Sequence, residues 1–277
     1  MLGPIYMARG IDLSTRSVLS DLMTSFKTQR PRGAPTLPEW DVAFVLYCLT
    51  KEPWEPLKDV SILRLTLKTF FLVLLASGRR RSDVGAIDVS RIAFTSDGAM
   101  TLYPGREFVP KTRAAMEGNV AFSPINIPNL TNYVGREEPD ALLCPVRAVR
   151  IYLDRTRGFR GDRKKLFISY QRGRKSEIST ATLSIWIKYL VRSVYTESGA
   201  LDRVTYKISA HQLRHISMSL SSRCNIPLES LVKAGMWSNP TTFLGFYLSD
   251  ATETLAQTGR FRLGPIVSAQ SVIAARR

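Results

Sequence analysis

One stretch of this sequence limits the fold more than any other: from Val60 to Ser77, apolar residues recur at helical spacing. Its most apolar part, Phe70 to Ala76, follows Lys68 and is far shorter than the ~20 residues that cross a bilayer. The stretch therefore predicts a helix buried in the core of a soluble protein, and Gly78 predicts where that helix ends.

Helical spacing, capping residues and helix-starting prolines predict further helices along the chain. They are expected at 41–49, 145–157, 179–197 and 211–224, from Pro227 onward, and at Asn239-Pro240. The turn Ser96-Asp97-Gly98 predicts a hairpin, and strands are expected at 92–95, 99–103, 108–111, 119–127 and 165–170. The pattern indicates an α+β domain that is mainly α, with helices around one small antiparallel sheet.

A stretch rich in proline and glycine, Gln29 to Pro38, predicts a linker near the start of the chain. The expected division is an N-terminal segment with its linker at 1–36, a main domain at 37–250 and a C-terminal tail at 251–277. The first segment is too small to be a domain, so it is interpreted as the remnant of a neighbouring one.

The charge balance favours a polyanionic partner. Lys and Arg number 39 against 23 Asp and Glu, which gives a formal net charge of +16. Nucleic acid is the leading candidate, and a ribosome-associated or simply soluble basic protein is the alternative. The three cysteines lie far apart and there are only two histidines, which predicts free thiols and no structural zinc site.

Two basic clusters are candidates for phosphate chemistry. His211 and Arg214 share one face near the start of a predicted helix, where backbone N–H groups favour a phosphate. The alternative is a core histidine beside a surface arginine. Arg80 lies in the Arg79–Arg81 run that follows Gly78, and Asp83 is placed to orient its guanidinium. The alternative there is a solvated basic turn.

Three single residues complete the set of candidates. Lys111 lies on a predicted loop from which it could donate a proton to a leaving oxygen, although most loop lysines have no such role. Trp237 offers one indole N–H donor. Tyr247 offers a phenol that becomes a nucleophile once deprotonated, whereas aromatic runs of this kind usually form core.

Taken in chain order, these residues resemble the tyrosine recombinase (phage integrase) family. The stretch Ala76–Asp83 resembles its G-x-R-x-S-[DE] box, which places the catalytic arginine on Arg80, and Ser209–His215 resembles its H-x-L-R-H box. Trp237 stands where the family has His or Trp. Tyr247 stands at the nucleophile, 33 residues after the arginine of the second box.

The resemblance covers roughly 37–250 and implies the family's catalytic-domain fold. Tyr247 follows Trp237 by ten positions, whereas the nucleophile of bacterial members usually follows by nine. A separation of nine would place the nucleophile on Phe246, which has no hydroxyl. Three features are most similar to recombinases of eukaryotic DIRS- and crypton-type transposable elements. They are the stretch Ser-Gly-Arg-Arg-Arg-Ser-Asp, the Trp in place of His, and the run Thr242–Asp250. Such an origin implies the nucleus, and a bacterial one the cytoplasm or nucleoid.

The function that the resemblance implies is site-specific cleavage and rejoining of DNA for the integration of a mobile element, without cofactor or metal. Tyr247 would attack a DNA phosphate and form a covalent 3′-phosphotyrosine. Arg80 and Arg214 would bind the phosphate oxygens, and His211 would serve as general base.

The remaining roles follow from the same resemblance. Lys111 would protonate the leaving 5′-oxygen, and Trp237 would donate to the phosphate or pack the site. Asp83 and His215 are expected to orient these side chains without contacting the phosphate themselves.

The implied partner is double-stranded DNA, bound by a homo-oligomer, a tetramer on two duplexes, with no membrane involved. The tail at 251–277 would pack onto a neighbouring protomer. Phosphate contacts, whose affinity falls steeply with salt, are expected from these basic residues: Arg79, Arg81, Arg106, Arg113, Arg163, Lys164, Lys165, Arg172, Arg174 and Lys175.

Three other functions remain open at this stage. A recombinase-derived protein could bind DNA without turnover. A type IB topoisomerase uses similar chemistry without a specific site. A basic scaffold protein of unrelated fold would hold Tyr247 and His211 far apart.

Overall fold

The computed structural model describes residues 25–26, 28–29, 40–110, 124–136, 139–169, 178–200, 208–223 and 227–237 of the chain. Contacts divide the chain into two units, Met1–Thr36 and Leu37–Arg277. The four described residues of the first unit are helical, and the Gln29 amide donates to Ser25 Oγ at 3.2 Å. All other described residues belong to the second unit.

The described part of the second unit is mainly helical and contains one three-stranded antiparallel sheet. Its helices are α1 (Val42–Leu49), α2 (Ile62–Ser77), α3 (Arg81–Gly85), α4 (Thr131–Val134), α5 (Pro145–Arg160), α6 (Thr180–Glu197), α7 (Ala210–Arg223) and α8 (Leu228–Gly235), with a 3-10 turn at Pro139–Leu143. Its strands are β1 (Ile87–Phe94), β2 (Met100–Pro104) and β3 (Ile125–Ile127), in the order β1-β2-β3.

Helix α2 forms as predicted and lies at the centre of the core, in contact with α5, α6 and α7. Ser61 Oγ caps its start by accepting from the Arg64 amide at 3.2 Å. Gly78 ends it at φ +58, in the left-handed region that glycine adopts without a Cβ penalty. An aromatic group formed by Phe70, Phe167 and Trp186 packs α2 edge-on against α6.

A buried cluster of charged side chains links α2 to α5 and to the segment that follows α1. Lys68 is fully buried in α2, and its Nζ donates to Glu55 Oε1 at 2.6 Å and to the Leu49 carbonyl at 2.5 Å. Arg147 of α5 grips both oxygens of Glu55, at 2.8 and 2.9 Å. Burial lowers the pKa of Lys68 to about 8, against the attraction of Glu55. Burial alone would raise the pKa of Glu55, but the bonds and charges of Arg147 and Lys68 outweigh it and lower that pKa.

The hairpin of β1 and β2 turns where it was predicted, with Phe94 opposite Met100. However, β1 begins at Ile87, five residues before the expected start at Ile92, and its register shifts between those two residues. Ile87 and Val89 alternate with Asp88 and Ser90, but Ser90 and Arg91 are two polar residues in succession, and this break in the alternation explains why the pattern missed the first half of the strand.

Two predicted strands are wrong over their described residues. Residues 108–110 form no strand, because the Phe108 amide turns back to the Gly105 carbonyl and Pro110 has no amide proton. The stretch 165–169 makes only one bridge, Lys165 with Asp88. Residues 111 and 119–123 lie outside the described ranges, and Ile125–Ile127 confirms the end of the strand expected at 119–127.

The expected longer helices are confirmed, with α5 extending three residues beyond Arg157. A capping box starts α7, because Ser209 Oγ accepts from the Gln212 amide and Gln212 Oε1 accepts from the Ser209 amide. The elements α3, α4 and the 3-10 turn were missed because they are shorter than the window over which helical periodicity is visible. The helix expected at Asn239-Pro240 lies outside the described residues. Within the described ranges, no helix combines the length and the apolar character needed to span a membrane.

Candidate active site

The candidate site lies where the end of α2 meets α7. Ser217 Oγ of α7 donates to the Leu75 carbonyl of α2 at 2.6 Å, and both residues are buried. Gly78 closes the contact, because a Cβ there would lie 1.8 Å from Met218 Cε. The basic run after Gly78 is thereby held close to the first turns of α7.

Arg80, His211 and Arg214 are brought together at this junction. His211 lies at the exposed start of α7, and the surrounding protein lowers its pKa, first by desolvation and then through the positive charges of Arg214, Arg80 and Arg81. Arg80 is partly exposed and stands at the N-cap of α3. The lowered pKa favours the neutral form of the His211 imidazole, which is able to accept a proton.

The Arg214 side chain lies beneath the exposed start of α7, where its neighbours hold it in position. Its side chain is only 2% exposed, and Nη2 donates to the Gly235 carbonyl at 2.7 Å. Its guanidinium carbon lies 4.1 Å from the centroid of the Trp237 ring. His211 and Arg214 therefore lie on one helix as predicted, with the histidine towards solvent and the arginine enclosed.

The prediction that Arg79 contacts DNA is wrong for this conformation. The side chain is fully buried, and Nη2 lies 3.5 Å from the Pro124 carbonyl next to β3. Burial lowers the pKa of Arg79 to about 10, opposed by the nearby charge of Asp83. Asp83, expected to orient Arg80, is itself buried, accepts from Ser82 Oγ at 3.1 Å and compensates the charge of Arg79.

His215 lies one turn behind His211 and is buried. Burial lowers its pKa, and the charge of His211 lowers it further. The surroundings thus favour the neutral form of both imidazoles.

The predicted phosphate contacts differ in their exposure. Arg81, Arg106 and Lys164 are exposed, and Lys165 is partly exposed. Arg163 donates through Nε and Nη2 to carbonyls of the last turn of α5, so those donors are engaged at the helix end. Six predicted residues lie outside the described ranges: Lys111, Arg113, Arg172, Arg174, Lys175 and Tyr247. The described residues contain no cluster of three His, Cys, Asp or Glu side chains arranged for a metal.

Two residues of this site were not singled out from the sequence. Gly235 supplies the carbonyl that accepts from Arg214, and Ser217 joins α7 to α2. A backbone acceptor leaves no mark on residue type, and a serine inside a helix is common. The only available signal was the helical spacing that places Ser217 beside Arg214 on α7.

No protein-family model and no curated protein sequence matches the chain. Solved structures do match. The pre-cleavage complex of the XerH site-specific recombinase bound to its difH substrate superposes with a TM-score of 0.52 at 11% identity, over 83% of this chain and 53% of XerH. The post-cleavage complex of XerH with palindromic difH gives 0.53 at 12% identity, over 83% and 54%.

XerA recombinase is similar at 15% identity and a TM-score of 0.49, over 83% of this chain and 65% of XerA. The chain thus spans about half the length of XerH and somewhat under two thirds of XerA. At these identities the likeness concerns the fold. The described part of the chain has the mainly helical fold, with its small antiparallel sheet, of a tyrosine recombinase catalytic domain.

Proposed function

We propose that this chain is a site-specific DNA recombinase that cleaves and rejoins strands through a covalent 3′-phosphotyrosine, with Tyr247 as the nucleophile. The observation that carries the proposal is the convergence of Arg80, Arg214 and His211 at one junction of this fold. Two arginines beside a proton acceptor match the charge and the proton transfer of a phosphoryl-transfer reaction.

The site would act on the phosphate as follows. Arg80 and Arg214 bind non-bridging oxygens and stabilise the charge that grows on them in the transition state. His211, whose neutral form is favoured by its lowered pKa, accepts a proton. Because Arg214 is already desolvated and fixed by its neighbours, it loses little freedom when the phosphate arrives.

The bond changes balance without an external reagent. The Tyr247 oxygen forms a bond to phosphorus and the phenolic proton passes to a base, while the bond from phosphorus to the 5′-oxygen breaks. Lys111 gives the leaving 5′-oxygen its proton. Rejoining reverses these steps, because the phosphotyrosyl ester retains the energy of the original phosphodiester.

The partner in this proposal is double-stranded DNA, with a homotetramer as the active assembly on two duplexes. The net charge of +16 and the exposed Arg81, Arg106 and Lys164 supply phosphate contacts without sequence information. Integration of a mobile element, in the nucleus of a eukaryotic host, is the proposed biological setting.

The experiment is a covalent trap with a pool of nicked duplex oligonucleotides whose central positions are randomised. Protein–DNA adducts formed in EDTA are isolated on denaturing gels and the attached DNA is sequenced. We expect adducts enriched in one sequence that vanish in Tyr247→Phe. Tyr189→Phe, which removes the hydroxyl of an exposed tyrosine on α6, is the matched control and should form adducts normally.

The other outcomes separate the remaining functions. Adducts without sequence enrichment would indicate a type IB topoisomerase-like enzyme. Salt-dependent binding without any adduct would indicate a protein that only binds DNA. Adducts that persist in Tyr247→Phe would refute the assignment of the nucleophile.

A further inference from the structure

Two residues at and just beyond the end of helix α8 contact Arg214. The Gly235 carbonyl accepts from Nη2 at 2.7 Å. The centroid of the Trp237 ring lies 4.1 Å from the guanidinium carbon, within the range of cation–π contact. Trp237 is itself 8% exposed, so this contact is largely shielded from water.

Gly235 is required by the position of the Trp237 ring. A Cβ at 235 would lie 1.8 to 2.5 Å from three ring carbons of Trp237, far inside van der Waals contact. The indole is packed with Met218 and Leu231 and is a rigid group, so it has little room to give way. Any larger residue at 235 therefore has to displace the ring that contacts Arg214.

The backbone confirms that packing, and not backbone freedom, selects this glycine. The Trp237 amide bonds to the Val232 carbonyl and the Met236 amide to the Lys233 carbonyl, which is the pattern of a Schellman motif. Its left-handed position, where glycine is usual, is taken by Met236 at φ +51. Glycine stands one residue earlier, opposite the ring.

We propose that Gly235 and Trp237 form a clamp that positions the Arg214 guanidinium, and that Trp237 acts through the face of its ring. Trp237 is thus a positioning residue, and its indole N–H is not the group that the site depends on. The consequence of the clamp for DNA cleavage rests on the proposed function, whereas the clamp itself is a property of the free protein.

The first test measures the rate of adduct formation with the nicked-duplex pool. Gly235→Ala and Trp237→Ala should each slow the reaction by about 100-fold, the loss expected for a catalytic group misplaced by about 1 Å. Trp237→Phe keeps a ring face but has no N–H, so it should stay within about 10-fold of the wild type. Met236→Gly, which relieves the left-handed methionine and leaves Gly235 and Trp237 in place, is the matched control and should react normally.

The second test needs no DNA cleavage. The Nε–Hε and Cδ–Hδ resonances of Arg214, assigned by their loss in Arg214→Lys, should show a ring-current shift in the wild type and in Trp237→Phe. The shift should disappear in Trp237→Ala and change in Gly235→Ala. Circular dichroism and amide spectra of each variant establish that it is folded.

Each outcome bears on one of the two proposals. Unchanged Arg214 resonances in folded Gly235→Ala and Trp237→Ala would overturn the clamp. Equal loss of rate in Trp237→Phe and Trp237→Ala would overturn the role of the ring face. If the wild type forms no adduct, the proposed function fails, and the resonances of Arg214 still decide whether the clamp exists.

Discussion

Because the ammonium group of Lys68 is buried, we predict that it makes the stability of the protein depend on pH. Lys68 is fully enclosed in α2, the helix that leads into Arg80, and its charge is compensated by Glu55. Replacement of Lys68 by Met keeps the length and apolar stem of the side chain and removes the charge. We expect the difference in unfolding free energy between wild type and Lys68→Met to depend strongly on pH.

The magnitude follows from the pKa of Lys68. In the folded protein that pKa is about 8, whereas the ordinary value of 10.5 applies to the unfolded chain. Between these values the unfolded chain binds a proton that the folded chain has released, so stability rises with pH. Across the whole interval between the two pKa values, the unfolding free energy rises by about 3 kcal/mol. Of this rise, about 2 kcal/mol falls between about pH 7 and pH 10. The wild type should gain that amount relative to Lys68→Met.

Urea unfolding followed by tryptophan fluorescence and circular dichroism, at several pH values from about 7 to about 10, measures this difference. Coincident transitions by the two probes establish that unfolding is two-state. Lys188→Met, an exposed substitution on α6, is the matched control, and its difference from wild type should not vary with pH. A difference for Lys68→Met that stays constant to within about 0.5 kcal/mol would refute the reasoning, since surface changes commonly fall in that range.

Three further predictions concern the scaffold and the site. Gly78→Ala should lower the unfolding free energy by about 1–2 kcal/mol, because the left-handed conformation penalises a Cβ; an unchanged urea midpoint would contradict this. Arg160→Met should cost about 1–3 kcal/mol and speed hydrogen exchange at the Leu166 amide, because Arg160 binds the carbonyls at 165 and 166; normal exchange would speak against it. Histidine NMR should show that the pKa of His211 is lower than that of an ordinary histidine in the wild type and rises in Arg80→Gln, which removes a repelling charge; an identical titration would remove Arg80 from the site.

Local interactions account for what was predictable about the fold. The periodicity of α2 and its end at Gly78, the capping of α7 by Ser209 and the hairpin turn at 96–98 each depend on residues a few positions apart. The shared face of His211 and Arg214 was predictable for the same reason. The early start of β1 was not, because Ser90 and Arg91 break the alternation there, and only the pairing with β2 joins both halves into one strand.

The direction of each side chain in the basic run depended on the tertiary structure. Arg79, Arg80 and Arg81 are adjacent and chemically identical, yet the first is buried beside Asp83, the second is partly exposed and the third is exposed. The run leaves α2 at Gly78, whose left-handed backbone and close approach to Met218 leave no room for a Cβ.

By itself, then, the sequence determined the main helices, the hairpin, the basic character and the residue types of the candidate site, because these follow from spacing along one chain. Only the tertiary structure decided that Arg79 serves the core and that Gly235 and Trp237 close on Arg214. Those relations join segments about 20 or more residues apart through packing and desolvation, and no local pattern of residues encodes which of several equivalent side chains will be enclosed.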